Sequence, residues 1–125
     1  MTAEEYDALS EEEQRIAVAE LCGWQDISYR LPAVNHGVGK LLGFSPGVIP
    51  KSTRWGMDII PDYLNDLNAM HEAEKFLLHS FEGARNSYTH WLEQTLGTLY
   101  DNAIFATAKQ RCKAFVLTMT EEDGK

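Results

Sequence analysis

The sequence predicts a small α+β domain, and three observations favour it. Apolar residues recur at helical spacing in three amphipathic stretches, at about 10–22, 62–80 and 101–119. Short apolar segments at 27–31 and 57–60, bounded by glycines and prolines, can form strands. The chain has 125 residues, enough for one hydrophobic core and too few for two ordinary domains. We therefore expect residues 1–125 to form a single domain.

The first predicted helix begins at a capping box. Ser10 can accept a hydrogen bond from an amide of the first turn, and Glu13 can reach back to the serine N–H. Ile16 and Ala19 then start an apolar stripe, and Gly23 can adopt the left-handed conformation that ends a helix. These signals predict a helix over about residues 10–22.

The other two helices have candidate caps of their own. Pro61 is tolerated in a first helical turn and Asp62 can accept an amide hydrogen bond, which predicts a helix from about residue 62 to 80. Asp101 is the expected cap of the last helix, whose apolar face should include Cys112 and Phe115.

The location of the sheet is less defined. Glycines and prolines are frequent between residues 24 and 60, and within this segment 40–44 is ambiguous. Residues 83–97 fit a helix better than a strand, although part of their pattern also fits one strand face. The strands can therefore come from residues 27–60 or from 86–98.

Composition and charge exclude several classes of function. The chain carries 19 acidic and 11 basic residues, a formal charge of −8, which opposes direct binding to nucleic acid or to anionic lipid. No apolar run approaches the roughly 20 residues of a spanning helix, and no secretion signal is recognisable. The two cysteines lie inside predicted helices, as is typical of buried thiols in a reducing compartment. We expect a cytoplasmic protein without a membrane partner.

Three stretches resemble a known group of proteins: Glu20 to Trp24, Ile60 to Glu74 and Ala106 to Met119. Together, and in this order, they are similar to the small phage and prophage proteins grouped as the phage ABA sandwich domain. The resemblance implies an alpha-beta-alpha arrangement, with helices on either side of a small sheet, and a phage protein acting in the host cell cytoplasm. It implies no catalytic residues.

The motifs that would indicate catalysis are incomplete. A helical zinc-protease motif starting at His71 needs a second histidine four residues later, where Lys75 stands. The Gly37 to Lys40 segment lacks the first P-loop glycine, because Val34 occupies that position. No nucleophile elbow or triad signature is present in the sequence. We expect no enzymatic activity, no cofactor and no metal, with a small hydrolase or metalloenzyme as the alternative.

Two groups of residues are candidate binding sites, and solvated surface charge is the alternative for both. The acidic group, at the start of the first helix, can dock on a basic groove of a partner by imitating phosphate charge: Glu11, Glu12 and Glu13. The second group combines cations with an aromatic ring and can hold a nucleotide-like anion: Arg30, Lys40, Lys51, Arg54 and Trp55.

The function predicted from these features is that of a non-enzymatic phage accessory protein. Its expected partner is a host protein such as a nucleic-acid-binding enzyme, and its expected role is to inhibit a host defence system, as an anti-CRISPR or other anti-defence protein. The alternative from the second group of residues is a small-molecule binder that sequesters a nucleotide signal.

Overall fold

The computed structural model describes residues 1–30, 40–47, 57–96 and 106–120. Within these ranges the chain forms five α-helices and three β-strands, in the order α1 Ala3–Asp7, α2 Glu11–Leu21, β1 Gln25–Arg30, β2 Lys40–Phe44, β3 Met57–Ile59, α3 Leu67–Leu78, α4 Ala84–Leu96 and α5 Ala108–Met119. The strands make one antiparallel sheet in the order β1-β2-β3, and the helices pack on it. The predicted α+β class is confirmed.

Capping boxes begin both α1 and α2. The Thr2 hydroxyl accepts a hydrogen bond from the Glu5 N–H at 3.1 Å, and the Ser10 hydroxyl accepts one from the Glu13 N–H at 3.1 Å. Each glutamate carboxylate accepts in return from the N–H of its capping residue. Gly23 follows α2 with a φ of 100°. The start and end predicted for the first helix are therefore confirmed to within one residue.

The sheet lies in the first of the two segments proposed for it, since residues 84–96 form α4. β1 contains a bulge between Gln25 and Ser28, where Asp26 has a φ of 53°. β1 and β2 also approach closely at Gly43, where a Cβ atom would lie 3.1 Å from the Gln25 carbonyl oxygen. The strand predicted at 57–60 is confirmed as β3, the ambiguous segment 40–44 forms β2, and β1 starts two residues before the predicted segment.

α3 starts later than predicted. Asp66, not Asp62, is its N-cap and accepts hydrogen bonds from two amides of the first turn. Residues 63–65 form a turn instead, which buries Tyr63 and Leu64. The apolar face of α3 consists of Met70, Ala73 and Leu77.

Leu67 and Phe81 continue the helical spacing of apolar residues in this segment, but they are 41% and 44% exposed. Leu67 is the first residue of α3 and Phe81 lies beyond its end at Leu78, and neither belongs to the buried face.

α5 also starts later than predicted. Thr107 has an extended backbone and forms a capping box with Gln110, so the helix begins at Ala108 instead of continuing from Asp101. Asp101 itself lies outside the described residues. Cys112 and Phe115 are fully buried, as expected.

α5 is the central helix of the core. α1, α2, α3 and α4 all contact it, and α2 in turn contacts β1. None of the helices in the described ranges is long and apolar enough to span a membrane.

Candidate functional site

A cleft of about 490 Å³ lies between α2, the sheet and the loop that joins β3 to α3. We call it the α2 cleft. Its volume is in the range of small-ligand sites, and it is also large enough for one long side chain of a partner. Six polar side chains line it: Glu11, Glu12, Arg15, Lys40, Asp62 and Asn65.

Arg15 fixes one wall of the cleft. Its Nε donates a hydrogen bond to the Pro61 carbonyl oxygen at 2.9 Å, and its Nη2 donates one to the Ile60 carbonyl oxygen. On a helix, Arg15 is also one turn away from Glu11 and Glu12, the spacing of ordinary ion pairs. The contacts to the two carbonyl oxygens take the place of these pairs, so the arginine joins α2 to the loop before α3.

This arrangement leaves carboxylates available in the cleft. Glu11 forms an ion pair with Lys109 of α5 at 3.0 Å, and both side chains are more than half exposed. In the described part of the chain Glu12 has no ion-pair partner. Asp62 accepts hydrogen bonds from the Asn65 side-chain amide at 3.1 and 3.2 Å and forms no ion pair with a described residue.

One cation and an apolar floor complete the cleft. Lys40, at the start of β2, forms no ion pair with any described residue and is exposed. Tyr29 of β1 pairs with Leu41 of β2, and Ile59 of β3 lies on the other side of that strand. Tyr29 and Ile59 are 49% and 52% exposed, large fractions for an aromatic and a β-branched side chain.

The structure brings the two predicted sites together. Glu11 and Glu12, from the acidic group, line the same cleft as Lys40, from the basic group. Glu13 is not a lining residue, because its carboxylate belongs to the capping box at Ser10. The Ser10 N–H holds the pKa of the Glu13 carboxyl below its ordinary value.

The remaining basic candidates are described only in part. The backbone of Arg30 pairs with that of Lys40, which places the two residues side by side at the same end of the sheet. Lys51, Arg54 and Trp55 lie outside the described residues.

A second polar cluster connects α3, α4 and α5. Glu74 accepts hydrogen bonds from the Tyr88 hydroxyl at 2.5 Å and from Arg111 Nη1 at 2.8 Å. His71 Nδ1 lies 2.8 Å from the other Glu74 oxygen. Glu74 and Arg111 are only 13% and 12% exposed, and burial together with Glu74 raises the pKa of Tyr88. The cluster joins three helices, and His71 lies at its half-exposed edge.

The two thiols are buried, and their environment favours the protonated form, which is the less reactive one. The Cys112 Sγ donates to the Tyr63 carbonyl oxygen at 3.1 Å and lies 3.4 Å from the Met70 Sδ. Burial raises the pKa of Cys22 to about 11 and raises that of Cys112 further. Neither cysteine is in a disulfide.

Within the described ranges, no group of three or more His, Cys, Asp and Glu side chains is arranged to hold a metal ion. The fold and the cleft thus define a small α+β protein with a charged surface cleft. Comparison with protein-family models, with curated proteins and with solved structures found no match. The resemblance to the phage ABA sandwich domain therefore stays a prediction.

Proposed function

We propose that this chain is a non-enzymatic phage accessory protein that binds a basic surface of a host protein and thereby inhibits it. The observation that carries the proposal is the α2 cleft, in which Glu12 and Asp62 lack cationic partners among the described residues. The phage origin and the host partner rest on the resemblance of the sequence.

The acidic surface around the cleft supports the proposal. Every acidic residue of α1 and α2 is exposed, and two of them are offset by lysines of α5, in the ion pairs Asp7–Lys113 and Glu11–Lys109. Glu4, Glu12 and Glu20 take part in neither an ion pair nor a capping box within the described residues. Such carboxylates attract a basic groove and accelerate association with it.

A groove that normally binds nucleic acid has the complementary charge. Exposed carboxylates on a short helix can occupy positions that phosphates would take, so a nuclease of a defence system is the kind of partner that this surface fits. Inhibition then follows from simple occupation of the groove and requires no chemistry from this chain.

The test is partner binding with reversed charges. The protein should capture a host protein from lysate, and the affinity of that purified partner should fall with rising salt. Glu12→Lys and Glu20→Lys should each weaken binding by roughly tenfold, about 1.4 kcal/mol. Glu82→Lys is the matched control, because Glu82 is exposed in the turn between α3 and α4, away from α2. Salt-independent binding, or an equal effect of all three variants, contradicts the proposal.

A nucleotide binder is the second candidate, and Lys40 beside the exposed ring of Tyr29 favours it. Against it, Glu12 and Asp62 would repel the phosphates of such a ligand. A thermal-shift screen with cyclic and linear nucleotides decides between the two candidates. No observation in the described part of the chain favours the hydrolase or metalloenzyme alternative.

A further inference from the structure

We propose that the α2 cleft binds one arginine side chain from an extended, surface-exposed segment of the partner. This inference rests on the proposed function and names the group that the cleft recognises. In it, the guanidinium is bound by the carboxylates of Glu12 and Asp62, and the aliphatic stem lies on Tyr29.

The charges in the cleft favour a cationic group over an anionic one. Arg15 is held by two backbone carbonyl oxygens and Glu11 is held by Lys109, which leaves Glu12, Asp62 and Lys40 without ion pairs among the described residues. The lining as a whole carries three carboxylates, those of Glu11, Glu12 and Asp62, against two cations, on a chain with a formal charge of −8. Because the excess charge of the cleft is negative, a guanidinium gains more there than a phosphate does.

The apolar surface favours arginine over lysine. Tyr29 is 49% exposed, and a planar guanidinium can stack on an accessible aromatic ring. The same guanidinium can donate two parallel hydrogen bonds to one carboxylate, whereas an ammonium group acts as a point charge.

The cleft is also shaped before any ligand arrives. Arg15 ties α2 to the carbonyl oxygens of Ile60 and Pro61, and the turn that follows places Asp62 next to Asn65. Tyr29 and Leu41 are held by the β1–β2 register. A preformed site loses little conformational entropy on binding, which allows a single side chain to be recognised at measurable affinity.

The experiment is a titration of the isotope-labelled full chain, followed by amide NMR at low ionic strength. The probe is acetyl-Ala-Arg-Ala-amide, and its isosteric control is the same peptide with neutral citrulline in place of arginine. We expect the arginine peptide to shift the amides of α2 residues 11–15, Tyr29, Lys40, Ile59, Ile60 and 62–65, and the citrulline peptide to leave them unchanged. AMP serves as the anionic competitor for the same cleft.

Two variants with the same change of charge distinguish binding in the cleft from attraction by the overall negative charge of the protein. Glu12→Gln should weaken arginine-peptide binding by roughly fivefold or more, whereas Glu20→Gln, on the same helix but outside the cleft, should leave it nearly unchanged. Both residues are exposed, so both variants should keep the amide spectrum of the folded protein.

Three results would overturn the inference. The first is the absence of any arginine-specific shift up to the solubility limit of the peptide. The second is an equal loss of peptide affinity in Glu12→Gln and Glu20→Gln. The third is a stronger response of the cleft amides to AMP than to the arginine peptide. If the peptide fails while charge reversal still releases the host protein, the proposed function stands without an arginine site. If the peptide binds but the binding of no host protein depends on Glu12, the arginine site is supported and the proposed function is wrong.

Discussion

Glu13 shows how an exposed carboxylate can stabilise a helix through its charge. Its carboxylate accepts a hydrogen bond from the Ser10 N–H at 2.9 Å, and it lies at the positive end of the α2 dipole. Both interactions are stronger with the ionised form. The backbone and side-chain hydrogen bonds with Ser10 accordingly lower the pKa of Glu13 below its ordinary value of 4.5.

We expect the contribution of Glu13 to stability to depend on pH. Because the pKa is lowered in the folded state, this contribution is complete above pH 4.5 and is lost as the pH falls through the folded-state pKa. Glu13→Gln can still form the capping box but does not titrate. In urea unfolding, the stability difference between the wild type and Glu13→Gln should therefore shrink as the pH is lowered from 4.5. A difference that is constant with pH would contradict this assignment.

Single residues also show where sequence reasoning succeeds and where it stops. The Ser10 capping box is visible in the sequence because its two partners are three residues apart. Arg15 is misleading, since its spacing to Glu11 and Glu12 predicts ion pairs within the helix, whereas its actual acceptors are the carbonyl oxygens of Ile60 and Pro61. Glu11 and Glu12 could be predicted as binding residues, but the place of Asp62 beside them and the cleft itself could not, because both depend on long-range contacts.

At the level of helices, the Glu74 cluster holds α3, α4 and α5 together. A carboxylate that is mostly buried is stable there only because Tyr88 and Arg111 donate hydrogen bonds to it. Removing the carboxylate leaves the Arg111 charge, itself 12% exposed, without this compensation.

We expect Glu74→Ala to lower the free energy of unfolding by about 3 kcal/mol, and Tyr88→Phe to lower it by about 1 kcal/mol. Glu72→Ala is the control on the same helix. The ion pair of Glu72 with Lys75 is 3.0 Å long, but both side chains are exposed. Loss of this ion pair should therefore lower the free energy of unfolding by no more than about 0.5 kcal/mol. Urea titration followed by circular dichroism measures all three. Equal losses for Glu74→Ala and Glu72→Ala would show that the cluster does not join the helices.

The starts of α3 and α5 illustrate a general limit of local signals. Asp62 and Asp101 are as good N-caps by residue type as the caps actually used, Asp66 and Thr107. For α3, burial of Tyr63 and Leu64 against the core favours the later cap, and that burial is a property of the tertiary structure. The sequence thus predicts that these two segments are helical, but it does not predict the residue at which each helix begins.

At the scale of the whole molecule, both thiols belong to one hydrophobic core. Cys22 follows α2 and Cys112 lies in α5, yet the two are members of the same buried cluster. Burial raises the pKa of Cys22 to about 11, so it is almost fully protonated near neutral pH. Access of a reagent to either thiol therefore requires the core to open.

If the chain unfolds as a single cooperative domain, the two cysteines should be modified at the same rate. We expect a thiol reagent at pH 7.5 to modify neither residue rapidly in the native protein, and to modify both at one common rate set by unfolding. Peptide mapping by mass spectrometry gives the two rates separately, and the urea-unfolded chain gives the reference reactivity of each. Much faster modification of Cys22 than of Cys112 would mean that α2 opens independently of the rest of the core.

The central position of α5 has a consequence for synthesis of the chain. Two ion pairs join the N-terminal residues to α5, Asp7 to Lys113 and Glu11 to Lys109, across 106 and 98 positions. At typical rates of translation, the ribosome needs roughly 5–20 s to make the intervening residues. During that interval α1 and α2 exist without the surface that later buries Tyr6, Val18 and Ala19. Their capping boxes join residues only three positions apart, so these are among the few interactions that can favour the two helices before α5 emerges.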